Sequence, residues 1–439
     1  MNTRTSLGEL RRSADFEALG AWMHGLVAEL YPICRSITGE GLRRTLDILR
    51  RETGLKMESV PTGTAILDWT VPREWNIRDA WIANASGERV VDFRKSNLHV
   101  VNYSVPVRAR MTLGELRPKL HSLPDRPDWI PYRTSYYAED WGFCLSHRDL
   151  ERLTDESYEV VIDSSLEPGK LDYGELVLPG SSSEEILFSA HACHPSLAND
   201  NLSGLALLAA LARLLATAER RYTYRFLFVP GTIGAIAWLA RHEPERIRAG
   251  LTAACVGDAG PLTYKKSRRG DAEIDRAAQH VLRSSGERHG VVDFSPYGYD
   301  ERQYNSPGFN LPVGSLTRTP HGRYPEYHTS ADDVAFVRPA SLASSLRAYL
   351  AIVGVLEGNG RYRNTQPRGE PQLGRRGLYR AIGGQPDPGE LQMAMLWVLN
   401  QSDGGPTLLE IADRSGLPFD LVRAAADRLL DKGLLAPVA

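Results

Sequence analysis

Two histidines and several carboxylates stand where a folded chain could bring them to one cation. His191 closes the apolar run 186–190. Nine residues later Asp200 and Asn201 precede the small and branched apolar residues of 202–216. An imidazole and a carboxylate meeting at a strand–loop–helix junction are a donor set for zinc or a similar dication. In open α/β sheets, ligands bind beyond the carboxyl ends of the strands. The same residues have a plainer reading. Asp200 or Asn201 could serve only as a helix cap, and His191 as a hydrogen-bonded core histidine. Further on, Asp258 ends another apolar run in a glycine-rich turn, and His328 sits in the polar loop 323–333 with carboxylates on both sides. Between them, 299–308 is dense in charge and aromatic rings without helical or strand period. Polar loops between apolar strands are where function concentrates.

Within these loops Glu326 and Glu301 are the candidate general bases, with a plain surface carboxylate as the equal alternative for Glu326. Arg302, Tyr304, Tyr324 and Asn201 are the candidate substrate contacts. Guanidinium makes bidentate pairs with carboxylates, and the tyrosines could meet a sugar. Arg35, in a polar turn at 34–40, reads as either an anion contact or a cap-bonding side chain.

The elements that must position these residues follow from hydrophobic period. Strands are expected at 158–162, 175–178, 186–190, 224–229, 251–256 and 311–316, and helices at 202–216, 235–241, 274–284 and 339–357. Their alternation predicts an α/β fold, a mostly parallel sheet flanked by helices. Two further helices are expected within 15–51. From 60 to 135 helical period vanishes and short β-rich runs (65–71, 79–82, 89–93, 98–103) predict a small inserted all-β domain. Trp69, Trp75 and Trp81 are expected in its core. The α/β domain is thus expected over 1–59 and 136–360.

A Gly-, Pro- and Arg-rich linker (361–384) leads to a winged-helix-like α domain over 385–439. There Thr407 and Glu410 form a capping box and Gly416 ends a helix. On its last helix Arg423, Arg428 and Lys432 are balanced by Asp420, Asp427 and Asp431. A packing or dimerisation module is therefore expected rather than a DNA reader, with a homo-oligomer as the partner it suits.

The chain has 439 residues, 52 Lys and Arg against 54 Asp and Glu, and a formal net charge of −2. That balance argues against nucleic acid gripped by bulk charge. No apolar run reaches the roughly 18–20 residues of a membrane span, and the polar start carries no signal-peptide core. Four cysteines are too few for a disulfide scaffold, so a cytoplasmic setting is expected.

The order His191, Asp200, Asp258, His328 resembles the co-catalytic zinc aminopeptidases of the M28 type. The turn Asp200-Asn201-Leu202-Ser203-Gly204 matches their Asp-Asn-x-Ser-Gly, and His328-Thr329 before Asp332 matches the end of their site. Over nearly its whole length the chain is similar to an aminopeptidase-like family with an inserted β domain and a C-terminal winged helix. The resemblance implies His191 and Asp258 on one metal, His328 on another, Asp200 bridging, and Asp332 orienting His328. It also calls for a Glu-Glu pair after the next strand, where this chain has Val229-Pro230-Gly231-Thr232-Ile233-Gly234, and for an aspartate where Cys193 stands. One zinc rather than two is therefore expected. The expected function is metal-dependent hydrolysis of an amide or peptide-like bond in a small-molecule or peptide-like substrate, with a metal-activated water and a carboxylate base. Two rivals are a single-zinc acyl transferase or cyclase and a catalytically degenerate binding protein.

Overall fold

The computed structural model describes residues 5–154, 157–378 and 389–438. The chain divides into two compact units, one of residues 1–272 and 288–347, the other of 273–287 and 348–439.

The first unit is built on an eight-stranded mixed sheet. Its four middle strands, Thr223–Val229, Glu185–His191, Ile247–Ala253 and Val313–Thr317, run parallel in that order. Lys56–Pro61 and Lys170–Leu178 extend one edge antiparallel, and Leu262–Lys265 with His289–Val292 extend the other. In Glu185–His191 every residue after the first is buried. A strand apolar on both faces belongs in the middle of a covered sheet. From it the chain crosses through Gly204–Thr217 to Thr223–Val229 on one side, then through Ile233–Leu239 to Ile247–Ala253 on the other. That reversal of strand order opens a crevice at the carboxyl end of Glu185–His191, where His191 stands.

The helices Ala198–Thr217 and Pro339–Gly358 are long and apolar enough to cross a membrane, but 78% and 67% of their apolar windows are buried in protein. Their apolar length is used as core.

A four-stranded antiparallel sheet, ordered Arg89–Asp92, Glu74–Ala83, Ser157–Glu167, Val107–Thr112, forms the small β part. Here the expectation for 158–162 is corrected. That run joins this sheet, not the parallel one, because Ser157–Glu167 matches Glu74–Ala83 in length and pairs along it. Five apolar residues do not say which sheet will take them. The run 98–103 is not a regular strand. Ser96 accepts from the Leu98 N–H and opens a short 3₁₀ turn, Asn97–His99, a local bond that competes with the ladder. Trp75 is a core residue, its Nε1 donating to the Ser104 carbonyl. Trp69, in a two-residue hairpin, is 43% exposed, so the core reading fails for it.

Gly39 is fixed by geometry. It sits before helix Glu40–Thr53 at φ 92, and a Cβ there would lie 2.0 Å from the Trp75 carbonyl oxygen. Gly39→Ala is expected to cost about 2–3 kcal/mol, through left-handed strain and a clash with rigid backbone. An unchanged urea midpoint would contradict this.

In the second unit, helices Glu390–Gln401, Leu408–Ser415 and Phe419–Asp431 surround a three-stranded sheet ordered Asp403–Thr407, Arg361–Asn364, Leu435–Pro437. The Thr407–Glu410 capping box forms, and Gly416 takes φ 70 at the helix end. Arg361–Asn364, at the head of the stretch expected as linker, is the central strand of this sheet. Residues 379–388, which hold the end of that linker and the start of the expected helical domain, lie outside the described residues. Helix Glu273–Ser284 groups with this unit, where His280 Nδ1 meets Asp413 at 2.8 Å.

Candidate metal centre

Burial and hydrogen bonding converge on Asp200. Its carboxylate is fully buried and takes Nε2 of His191 at 2.8 Å on Oδ1. Oδ2 takes Nε2 of His328 at 2.9 Å and Nδ1 of His194 at 3.3 Å. One donor atom each from His191, His194 and Asp200 lie within 4.8 Å of one another. The imidazoles hold the Asp200 carboxyl well below its usual range, against the opposing effect of burial. Burial pushes His191 and His328 down, towards the neutral imidazole that a metal requires. For His194 burial also opposes charge, but Cys193 and Asp200 outweigh it and raise the pKa.

The local backbone explains this placement. Residues Ala198–Ser203 form one wide helical turn, broken by non-helical angles at Asp200 and Asn201. The turn is held by Asp332, whose carboxylate accepts from the Asn199 N–H at 2.6 Å and the Asp200 N–H at 3.0 Å. Burial pushes Asp332 up to about 8 despite those bonds. Asp332 thus supports the Asp200 backbone, not the His328 ring as the resemblance implied. His328, at φ 56, is held by its carbonyl accepting from the Tyr132 N–H and by Tyr327 stacked on its ring at 3.9 Å. Behind His194, the buried Arg35 guanidinium donates to the His194 carbonyl at 3.0 Å and to Thr45 Oγ1, which removes the anion-contact reading of Arg35.

Several sequence candidates stand elsewhere. Asp258 is outside the cluster. Its oxygens accept from Asn199 Nδ2, the Thr319 hydroxyl and the N–H groups of Gly260 and Thr319, so it braces two loops. Asn201 bonds Ala253, Gly204 and Cys255 backbone and approaches His191 Nδ1 at 3.4 Å. Glu301 is buried, paired with Lys265 at 3.0 Å and capped by the Tyr299 N–H. Tyr304 is a core residue donating to Ser189. Tyr324 is buried against Phe336 and Cys255. Arg302 is exposed. Glu326 is half-buried, two residues ahead of His328, and among the described residues its carboxylate has no hydrogen-bond or ion partner.

His194 and the aromatic walls were not among the candidates. His194 was legible as the second histidine of His191-Ala192-Cys193-His194. Tyr299 had no such signal. Its ring stacks on His191 at 4.0 Å and its hydroxyl reaches Nε2 of His194 at 3.2 Å and of His328 at 3.4 Å. Tyr299 also lies beside the segment where the glutamate pair was called for. A Cβ on Gly231 would come within 2.9 Å of His191 Cβ and 3.3 Å of the Tyr299 ring. A glutamate there would displace both.

The donor set is of the kind a metal ion takes. Asp200 meets His191 and His328 at hydrogen-bond distance and His194 at 3.3 Å, so an ion entering here would replace those bonds. Two imidazoles, a carboxylate and a third imidazole are usual partners of zinc.

A family model described as a domain of unknown function (DUF4910) matches residues 24–359. The chain belongs to this family. A winged helix-turn-helix model matches residues 360–437. A Clostridium acetobutylicum protein, provisionally described as a polysaccharide biosynthesis protein with an aminopeptidase-like domain, is 51% identical over 95% of this chain and 96% of its own. The crystal structure of a provisionally assigned peptidase from the same organism is 48% identical, covers 99% of this chain and 100% of that one, and superposes with a TM-score of 0.94. The zinc aminopeptidase of Bacillus subtilis shares the fold, with TM-score 0.57, 12% identity, and coverage of 76% of this chain and 94% of that one.

Proposed function

We propose that the chain is a metal-dependent hydrolase of an amide or peptide-like bond that uses one zinc ion. The carrying observation is the buried Asp200 carboxylate with nitrogens of His191 and His194 in one compact donor set. The aminopeptidase-like description of the relative supports the reaction class. When bound, zinc supplies Lewis acidity and a water acidic near pH 7. His191, His194 and Asp200 would hold the ion, with His328 on the second oxygen of Asp200. The Tyr299 hydroxyl orients the His194 and His328 rings. Glu326, half-buried two residues ahead of His328, would take the proton from the attacking water. Four unpaired cysteines support a reducing, cytoplasmic setting.

Purified protein is expected to carry about one zinc per chain and to lose hydrolysis on chelation. No zinc uptake, with His191→Ala equal to the parent, would sink the reading. Glu326→Gln is expected to lower kcat by roughly 10²–10⁴ with zinc content unchanged, as for loss of a general base.

A second reading, acyl transfer or cyclisation by the same centre, is favoured by one observation: 229–234 has no carboxylate and Tyr299 takes its space. Label from heavy-oxygen water in the product supports hydrolysis; its absence supports the second reading.

A further inference from the structure

A loop beyond the sheet carries one more imidazole towards the metal centre. Strand Val313–Thr317 runs in the same direction as Glu185–His191, so the chain leaving it emerges on the side where His191 stands. Ligands of open α/β sheets bind on that side. Asp258 anchors the loop, its carboxylate accepting from the Thr319 hydroxyl at 2.7 Å and the Thr319 N–H at 3.2 Å. Next the Arg323 N–H closes a turn on the Pro320 carbonyl at 3.0 Å, with Gly322 at φ 71. His321 stands in this turn.

His321 is half-buried among the tyrosines that cover the centre. Its ring is edge-on to Tyr299 at 5.7 Å and tilted to Tyr297 at 5.5 Å and Tyr327 at 6.4 Å. Tyr299 in turn stacks on His191, and Tyr327 on His328. The three imidazoles of the centre meet Asp200, and the Tyr299 and Tyr327 hydroxyls lie 3.4 Å apart. Among the described residues the His321 ring nitrogens have no hydrogen-bond partner, and neither is sealed from solvent.

The charged groups facing His321 are Glu301, Asp200, Lys265 and Arg302, and His328 lies within electrostatic reach. Burial pulls the His321 pKa down, with Lys265 and Arg302 acting in the same sense and Glu301 and Asp200 against it. The ring is thus mainly neutral near pH 7, with one N–H donor and one acceptor nitrogen. An amide bond offers the complement, a carbonyl that accepts and an N–H that donates.

We propose that His321 is a substrate-binding residue, its free ring nitrogens hydrogen-bonding the amide presented to the metal centre, with the imidazole N–H on the carbonyl oxygen. This contact rests on the amide-hydrolase reading and deepens it by naming a group that orients the bond to be cleaved.

The test is calorimetric titration of the zinc-loaded full chain with acetohydroxamate, an amide analogue that binds zinc through its oxygens. Two variants separate hydrogen bonding from packing. His321→Gln keeps a donor and an acceptor but loses the ring, whereas His321→Phe keeps the ring and loses both. His321→Gln should bind within about threefold of the parent and His321→Phe about tenfold more weakly, the worth of one hydrogen bond, with equal zinc content in all three. His321→Phe binding like the parent, or His321→Gln as weak as His321→Phe, overturns the proposal. Zinc loss in either variant overturns it too, by making His321 a support of the centre. A parent that takes up no zinc sinks the metal reading and this contact with it, whereas a zinc-loaded parent whose variants bind alike sinks this contact alone.

Discussion

Asp200→Asn is expected to abolish metal retention and, on the proposed reading, to lower amide hydrolysis by at least about 10³. The carboxylate serves three imidazoles through two oxygens. Asparagine offers one oxygen and replaces the other by an N–H₂ donor, which faces ring nitrogens that need an acceptor or a cation. It also removes the negative charge that compensates a dication in a buried site. A loss of about 4 kcal/mol of transition-state stabilisation corresponds to that factor. The fold should survive, because the turn is held by Asp332 bonding backbone N–H groups, not by the Asp200 side chain. Metal analysis and initial rates, with near-ultraviolet circular dichroism as the control for folding, decide it. Zinc content and rate equal to the parent would remove Asp200 from the centre.

Arg35→Met is expected to destabilise the protein by about 1–3 kcal/mol and, on the proposed zinc reading, to weaken zinc binding roughly 10–100-fold. Arg35 is fully buried and, among the described residues, has no carboxylate partner. Burial pulls its pKa down to about 10, which still leaves it cationic at neutral pH. Its guanidinium donates to the carbonyls of His194 and Leu30 and to the Thr45 hydroxyl. Methionine fills much of the volume but leaves the buried His194 carbonyl without its arginine donor, at about 1–3 kcal/mol, while the Leu30 carbonyl keeps the Ile33 N–H. Relief of the buried charge offsets part of that. The His194 backbone loses its anchor, and groups that orient a metal ligand are typically worth 10–100-fold in affinity. Urea unfolding reads the first effect and competition with a zinc chelator the second. A variant as stable as the parent, binding zinc equally well, would show the arginine to be idle.

Much of the α/β unit was legible because its signals are local. The run ending at His191 is apolar on both faces, which requires a central strand. The stretch 202–216 has the composition of a buried helix, and Thr407 with Glu410 announces a helix start. The stretch 158–162 was not assignable to a sheet, since pairing depends on a partner some 80 residues away. Trp69 likewise reads as core by type, yet a two-residue hairpin leaves it in solvent.

For the candidate centre the sequence by itself determined the chemistry on offer: imidazoles at 191, 194 and 328, a carboxylate at 200, and no glutamate pair at 229–234. Only the tertiary structure decided which carboxylate faces which ring. Asp200, Asp258 and Asp332 are alike as residue types and all stand outside regular strands and α-helices. Asp258 is spent on Thr319 and Asn199, Asp332 on two backbone N–H groups, and Asp200 alone meets the imidazoles. The physical reason is that a buried carboxylate must satisfy each oxygen, and its donors come from segments up to 133 residues apart along the chain. Tyr299 is decided in the same way. Its ring fills the space beside Gly231, a contact between two loops that no spacing along the chain encodes.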